Sequence, residues 1–200
     1  PDDIVFEADG NLYLMGLDND QYHQVKVEVV TDEQAVMPKQ ENVKELMQSA
    51  DISPDGKRAL VMARGDLFSV PAEHGVVSDL TQSSGSAERY GAWSPDGKTI
   101  AYWSDASGEY NLMLKNVETG QAKKVTDFTS GYRYHLYWSP DSKKIAFIDQ
   151  AMNISYFDIP ANKVVSVDKG LWMYQGALEN FSCSWSPDSR WLTYDRGLDN

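Results

Sequence analysis

Short apolar runs separated by polar turns dominate the chain, and four of those turns share one phrase. Ser53-Pro54-Asp55-Gly56, Ser94-Pro95-Asp96-Gly97, Ser139-Pro140-Asp141-Ser142 and Ser186-Pro187-Asp188-Ser189 recur at spacings of 41, 45 and 47 residues. Pro presets φ at the second position, Ser and Asp bond to nearby backbone, and the phrase suits a type I turn that closes a hairpin. Six and eight residues beyond each first Ser stand Ala59 and Val61, Ile100 and Tyr102, Ile145 and Phe147, Leu192 and Tyr194. That period of two predicts a strand. Its intervening positions, Leu60, Ala101, Ala146 and Thr193, are apolar in three copies, so the strand is expected to be covered on both faces.

Just ahead of the turn, Trp93, Trp138 and Trp185 occupy one position, with Ile52 in the first copy, and a large flat ring there can fill the space between adjacent sheets. A third strand is expected at 66–70, 111–114 and 153–157, and a fourth ending in Asp79-Leu80-Thr81, Lys124-Val125-Thr126 and Ser166-Val167-Asp168. Four strands in each period of this length predict an all-β chain, a β-propeller segment of four-stranded antiparallel blades. About three full blades with partial blades at both ends make an incomplete ring. Residues 1–30, with apolar runs at 4–6, 11–14 and 24–29, fit the end of a preceding blade. Residues 31–49 form a more polar connecting segment, and 50–200 the first blades of a following propeller.

With 18 Lys and Arg against 30 Asp and Glu, the formal net charge of −12 opposes phosphate backbones and anionic lipid, so neither nucleic acid nor membrane is expected as a partner. No apolar run reaches the roughly 18 residues of a membrane span. The start, Pro1-Asp2-Asp3, carries neither an initiator Met nor a signal segment, which points to processing or excision from a longer chain.

The phrases Ala63-Arg64-Gly65-Asp66-Leu67-Phe68-Ser69-Val70-Pro71-Ala72-Glu73, Leu80-Thr81, Ala92-Trp93-Ser94-Pro95-Asp96-Gly97, Ser104-Asp105-Ala106-Ser107-Gly108-Glu109-Tyr110 and the run from Trp138 to Phe147 resemble the propeller region of tricorn proteases over most of 50–197. The Ser-Pro-Asp-Gly phrase alone is shared with the Tol translocation protein B and with prolyl-oligopeptidase propellers. The resemblance implies two successive propellers ahead of a tail-specific-type serine peptidase domain, with residues 63–73 near the start of the second. It also implies that the propellers filter and channel oligopeptides, that the parent is a homo-oligomer, and that it is cytoplasmic, with a periplasmic form as the alternative. The family's catalytic Ser, His and Glu lie downstream of any propeller, so no residue here is expected to be catalytic. The alternatives are a non-enzymatic interaction propeller similar to the Tol protein, and the propeller cap of a prolyl-oligopeptidase-type enzyme.

The residues themselves carry little chemistry. No G-x-S-x-G elbow occurs, and Ser83-Ser84-Gly85-Ser86 reads as a polar loop. His23, His74 and His135 fall in different blades without metal-ligand spacing, so no metal and no cofactor are expected. Asp18-Asn19-Asp20 opens like a calcium loop, but the sixth residue is His23 and the twelfth Val29, which leaves a hairpin turn. Cys183 reads as a small buried hydrophobe. Asn153 and Asn180 satisfy the glycosylation pattern by chance, since both sit in or beside predicted strands. Asp105, Glu109, Arg89, Tyr132 and Arg133 are placed in loops where propellers contact ligands, and Arg89 or Arg133 could hold a peptide carboxylate bidentately. The partners expected are oligopeptides and the rest of the same polypeptide, and open blade faces and strand edges predict self-association of the isolated segment.

Overall fold

In the computed structural model, which describes residues 3–8, 10–27, 42–83, 85–170 and 178–194, each repeated phrase closes on its own side chains. The first Ser hydroxyl donates to the Asp carboxylate at 2.7, 2.6, 2.6 and 2.6 Å in chain order. The same carboxylate oxygen accepts the backbone N–H of Lys57, Lys98, Lys143 or Arg190. The Ser Oγ in turn accepts the N–H of Arg58, Thr99, Lys144 or Trp191, each at 2.9 Å. This local satisfaction of backbone donors explains the residue choice at the first and third positions. The Ser hydroxyls hold the Asp55 and Asp188 carboxyls below their ordinary range. At Asp96 and Asp141 desolvation pulls upward, but the hydroxyl and backbone N–H bonds outweigh it and the net shift is again downward.

The fourth position is left-handed in every copy, with φ of +68° at Gly56, +71° at Gly97, +58° at Ser142 and +59° at Ser189. Glycine adopts that region without strain. Serine replaces it in the last two copies and uses its side chain: Ser142 Oγ accepts the Asp96 N–H at 3.1 Å, and Ser189 Oγ accepts the Asp141 N–H at 3.0 Å. Each of these bonds ties a turn to the turn of the preceding sheet.

The chain divides into two units, 1–41 and 42–200. In the first, β1 (Asp3–Ala8), β2 (Asn11–Gly16) and β3 (Tyr22–Val25) form an antiparallel meander. Tyr13 stacks on Phe6, with ring centroids 5.3 Å apart, and meets Tyr22 edge-on at 5.8 Å. The acidic run at 18–20 is the hairpin turn between β2 and β3, in which Asn19 Oδ1 accepts the Gln21 N–H. Of the strand expected at 24–29, β3 covers only the start, and residues 28 and 29 lie outside the described residues, as do 31–41 of the connecting segment.

In the second unit a first sheet consists of β4 (Met47–Ile52), β5 (Arg58–Ala63), β6 (Asp66–Pro71) and β7 (Ser78–Asp79). A second follows as β8 (Glu88–Trp93), β9 (Thr99–Ser104), β10 (Asn111–Asn116) and β11 (Ala122–Lys124). A third is β12 (Tyr137–Trp138), β13 (Lys144–Ile148), β14 (Asn153–Asp158) and β15 (Lys163–Lys169), and β16 (Cys183–Trp185) pairs with β17 (Leu192–Tyr194). All pairings are antiparallel between consecutive strands, which makes each sheet a propeller blade. The sheets do not close into a ring among the described residues. In the first two blades the fourth strand is short, and beyond it a threonine hydroxyl takes over from the ladder: Thr126 Oγ1 accepts the Leu112 N–H at 2.8 Å and Thr81 Oγ1 the Leu67 N–H at 3.2 Å.

First strands of successive blades are neighbours, β8 touching β4 and β12 touching both β8 and β16. The second strands carry the core. After its first residue, β9 is buried at every position, and so is β13, as the doubly apolar pattern predicts for a strand with a blade on either side. One cluster joins Leu60, Met62 and Leu67 of the first blade to Trp93, Ile100 and Tyr102 of the second. Another joins Trp103 and Leu112 to Ile145, Phe147 and Phe157 of the third. The tryptophans pack between blades: Trp138 Nε1 donates to Ala92 O at 3.2 Å and Trp185 Nε1 to Tyr137 O at 3.0 Å. Ile52, at the equivalent position of the first blade, is 69% exposed. Among the described residues no helix is long and apolar enough to cross a membrane.

Candidate functional site

The first strands enclose a cavity of about 370 Å³, lined by Ser49, Ala50 and Asp51 of β4, by residues 90–93 of β8, by residues 135–138 at β12, and by Glu179. A break in β8 shapes its wall. The β8–β9 register shifts between Arg89 and Ala92, and Tyr90 inside this bulge has φ +51°, a left-handed conformation rare for an aromatic residue. Gly91 follows where space is tight: a Cβ there would lie 2.7 Å from Leu60 Cδ2 and 3.0 Å from Leu67 Cδ2, so these core side chains would have to shift. Strain of this kind persists where the surroundings over-determine it, and often at binding sites.

The Tyr90 ring lies 4.6 Å from the His135 ring and 6.4 Å from Tyr132 and Tyr134, and His135 is 6.5 Å from Tyr137. Tyr137 donates its hydroxyl hydrogen to Phe181 O. Burial pushes the Tyr137 phenol up to about 12, and burial followed by the Tyr132 hydrogen bond pushes Tyr90 higher still, so both hydroxyls stay protonated at neutral pH. Burial moves His135 the other way, below 6.5, which leaves a neutral imidazole. Asp51 Oδ2 accepts the Trp93 N–H at 2.7 Å and Oδ1 the Ile52 N–H at 2.9 Å. Trp93 Nε1 is buried without a partner among the described residues.

Arg89, expected in a loop, lies on β8 beside this wall. Its Nε donates to Tyr110 Oη at 2.9 Å and its Nη1 to Tyr132 Oη at 2.7 Å, and the guanidinium faces both rings at 5.6 and 5.5 Å. Its Nη2 bonds to nothing among the described residues. Arg133 is only 7% exposed, with its guanidinium carbon 3.5 Å from the Phe128 ring centroid. It donates to the carbonyls of Gly131 at 2.8 Å, Ser130 at 3.0 Å and Tyr110 at 3.4 Å. The structure thus gathers Arg89, Tyr132 and Arg133 around Tyr110 but sets Arg133 to bracing a loop. Asp105 accepts the Ala87 N–H at 2.7 Å.

Ser83 and Ser86 are pinned by the buried Glu88, whose carboxylate accepts from Ser83 at 2.6 Å, Ser86 at 3.1 Å and Ser104 at 2.9 Å. His23 and His74 are exposed, and among the described residues no group of three or more His, Cys, Asp and Glu converges as a metal ligand set. Burial pushes the Cys183 thiol up to about 12, so it is protonated and unreactive at neutral pH. Rings, two carboxylates and a neutral imidazole around a cavity suit binding rather than bond-making. Tyr90, Tyr137, Asp51 and Glu179 escaped the sequence reading, and His135 entered it only as a rejected metal ligand. Tyr137 belongs to the dense aromatic run from Tyr132 to Trp138, whereas Asp51 and Glu179 carry no comparable mark.

Residues 47–200 match the family described as the second β-propeller domain of tricorn protease. The fold is similar to the crystal structure of the tricorn protease, with a TM-score of 0.63 and 14% identity over 99% of this chain and 19% of that one. It is similar also to TolB from Acinetobacter baumannii, at 0.59 and 20% over 96% of this chain and 45% of that one. An oligogalacturonate lyase in complex with manganese matches at 0.59 and 14% over 92% and 50%. The chain spans half or less of each of these proteins. One is named a protease and another a lyase, so the shared fold does not decide function. The match along 47–200 is what assigns kinship, and by it the chain belongs to the family of tricorn protease second β-propeller domains.

Proposed function

We propose that this propeller portion gates or channels oligopeptides for a tricorn-type serine peptidase whose catalytic domain lies outside these 200 residues. The observation that carries this reading is the cavity lined by the first strands of three blades in a member of that family. Arg89 is the residue to hold a peptide carboxylate. Tyr110 and Tyr132 fix its plane, and Nη2 remains to donate. Arg133 would have to leave three carbonyls and a buried position to do the same. In this reading the protein acts in the cytoplasm, and its exposed blade faces join further blades or a second copy.

The test uses the longest natural polypeptide that contains this chain. Ala50 is exposed and lines the cavity, so Ala50→Trp narrows it without disturbing the core. Cleavage of oligopeptides should fall about tenfold in kcat/KM while a short chromogenic substrate is cleaved as before. Equal loss on both substrates, or a polypeptide without a peptidase domain, overturns the reading. The second outcome would favour a non-enzymatic interaction propeller, the reading supported by the fold likeness to TolB over 96% of the chain.

A further inference from the structure

We propose that the cavity between β4, β8 and β12 binds an amino cation, either the ammonium of a peptide N-terminus or that of a lysine side chain. This deepens the oligopeptide reading and rests on it. The rings of Tyr90, His135 and Tyr137 are set at angles of 60° and 56° to one another along one wall. Aromatic faces arranged about a common space attract a cation lying within about 6 Å of them. Two carboxylates, Asp51 and Glu179, share the lining. Each Asp51 oxygen accepts a single backbone N–H and so keeps acceptor capacity, and the Glu179 carboxylate bonds to nothing among the described residues.

Among the described residues no lysine or arginine lines the cavity. Arg89, next to Tyr90 in sequence, points its guanidinium to Tyr110 and Tyr132 instead. An anionic group entering here meets two like charges and ring faces of the wrong sign, whereas an ammonium meets complementary charge from both. The formal charge of −12 on the whole chain adds a long-range attraction of the same sense. A volume of about 370 Å³ admits one amino-acid residue with its terminal amine and lies at the small end of ligand pockets. Together with Arg89 beyond the Tyr90 and Tyr132 hydroxyls, 3.3 Å apart, the site separates recognition of positive and negative peptide groups.

The probes are C-terminally dye-labelled hexa-alanine amide with a free amine, its N-acetylated form, and the acetylated form carrying one lysine, each titrated by fluorescence anisotropy; n-butylammonium followed by NMR is the fourth. Acetylation should weaken binding about tenfold, and the added lysine should restore it if the side chain is the natural source. Glu179→Gln alters an exposed side chain and should weaken the free-amine peptide by a similar factor while leaving the acetylated peptide unchanged. Equal affinity of free and acetylated peptides, or indifference to Glu179→Gln, overturns the cation site. If n-butylammonium binds and no peptide does, the cation site stands and the oligopeptide reading falls; if neither binds, both fall.

Discussion

Between the second and third blades, Trp138 donates its indole N–H to Ala92 O and Ser142 receives the Asp96 N–H. Between the first and second, the corresponding Trp93 Nε1 is buried without a partner among the described residues, and Gly97 has no hydroxyl to offer Asp55. The first junction relies on other means: the Asp51 carboxylate on the Trp93 N–H, and an approach so close that a side chain at residue 91 would make Leu60 and Leu67 shift. A repeat therefore specifies each sheet, while the bonds between sheets are decided residue by residue. Nearest-neighbour interfaces of unequal strength are the general condition of repeat architectures.

Removing the largest group at each junction tests that view most severely. Trp103 is fully buried, meets Phe147 edge-on at 5.1 Å and donates its N–H to Tyr134 O at 2.8 Å. Trp103→Ala should cost about 3–5 kcal/mol in urea unfolding. At the first junction Gly91→Ala forces Leu60 and Leu67 to move and should cost about 1–3 kcal/mol. The tryptophan pair sharpens the contrast. Trp138→Phe and Trp93→Phe share the loss of ring volume, but only the former breaks a hydrogen bond, so it should be the more damaging by about 1 kcal/mol. Equal costs would mean that the Nε1 bonds contribute nothing.

Smaller effects follow at the turns. Ser142→Ala keeps a left-handed residue but removes its bond to Asp96, a loss of about 1 kcal/mol. Gly97→Ser supplies the missing hydroxyl at the strain of a non-glycine residue with φ +71°, and should change stability by about 0.5 kcal/mol or less. Acidity adds two steps. His135 titrates lower in the folded chain than its ordinary 6.5, so its contribution is complete above 6.5 and is lost as the pH falls below 6.5 through the folded value. The turn aspartates sit below 3.8, so theirs is complete above 3.8 and disappears on further acidification. Tm against pH should show the first step below 6.5 and the second below 3.8, and His135→Phe should erase only the first.

The turns, the doubly buried second strands and the place of the tryptophans were legible because each depends on residues close in sequence and on a period of two. Arg133 was not. Its burial follows from Phe128 and from carbonyls of its own loop, which alternation cannot show. The cavity was hidden for a different reason. Asp51, Tyr90, His135 and Glu179 come from four places in the chain and meet only because first strands converge, and the bulge that presents Tyr90 leaves no mark in polarity. Gly91 was the available clue, since a glycine inside an apolar strand signals a bulge or a close approach.

The links between turns run one way. In each, the hydroxyl belongs to the later repeat and the N–H to the earlier one, so the bond forms only once the later repeat is in place. One rim of the molecule is thus stitched between repeats, and a circularly permuted chain that places the later of two neighbouring repeats first would have to complete that stitch across a new connection.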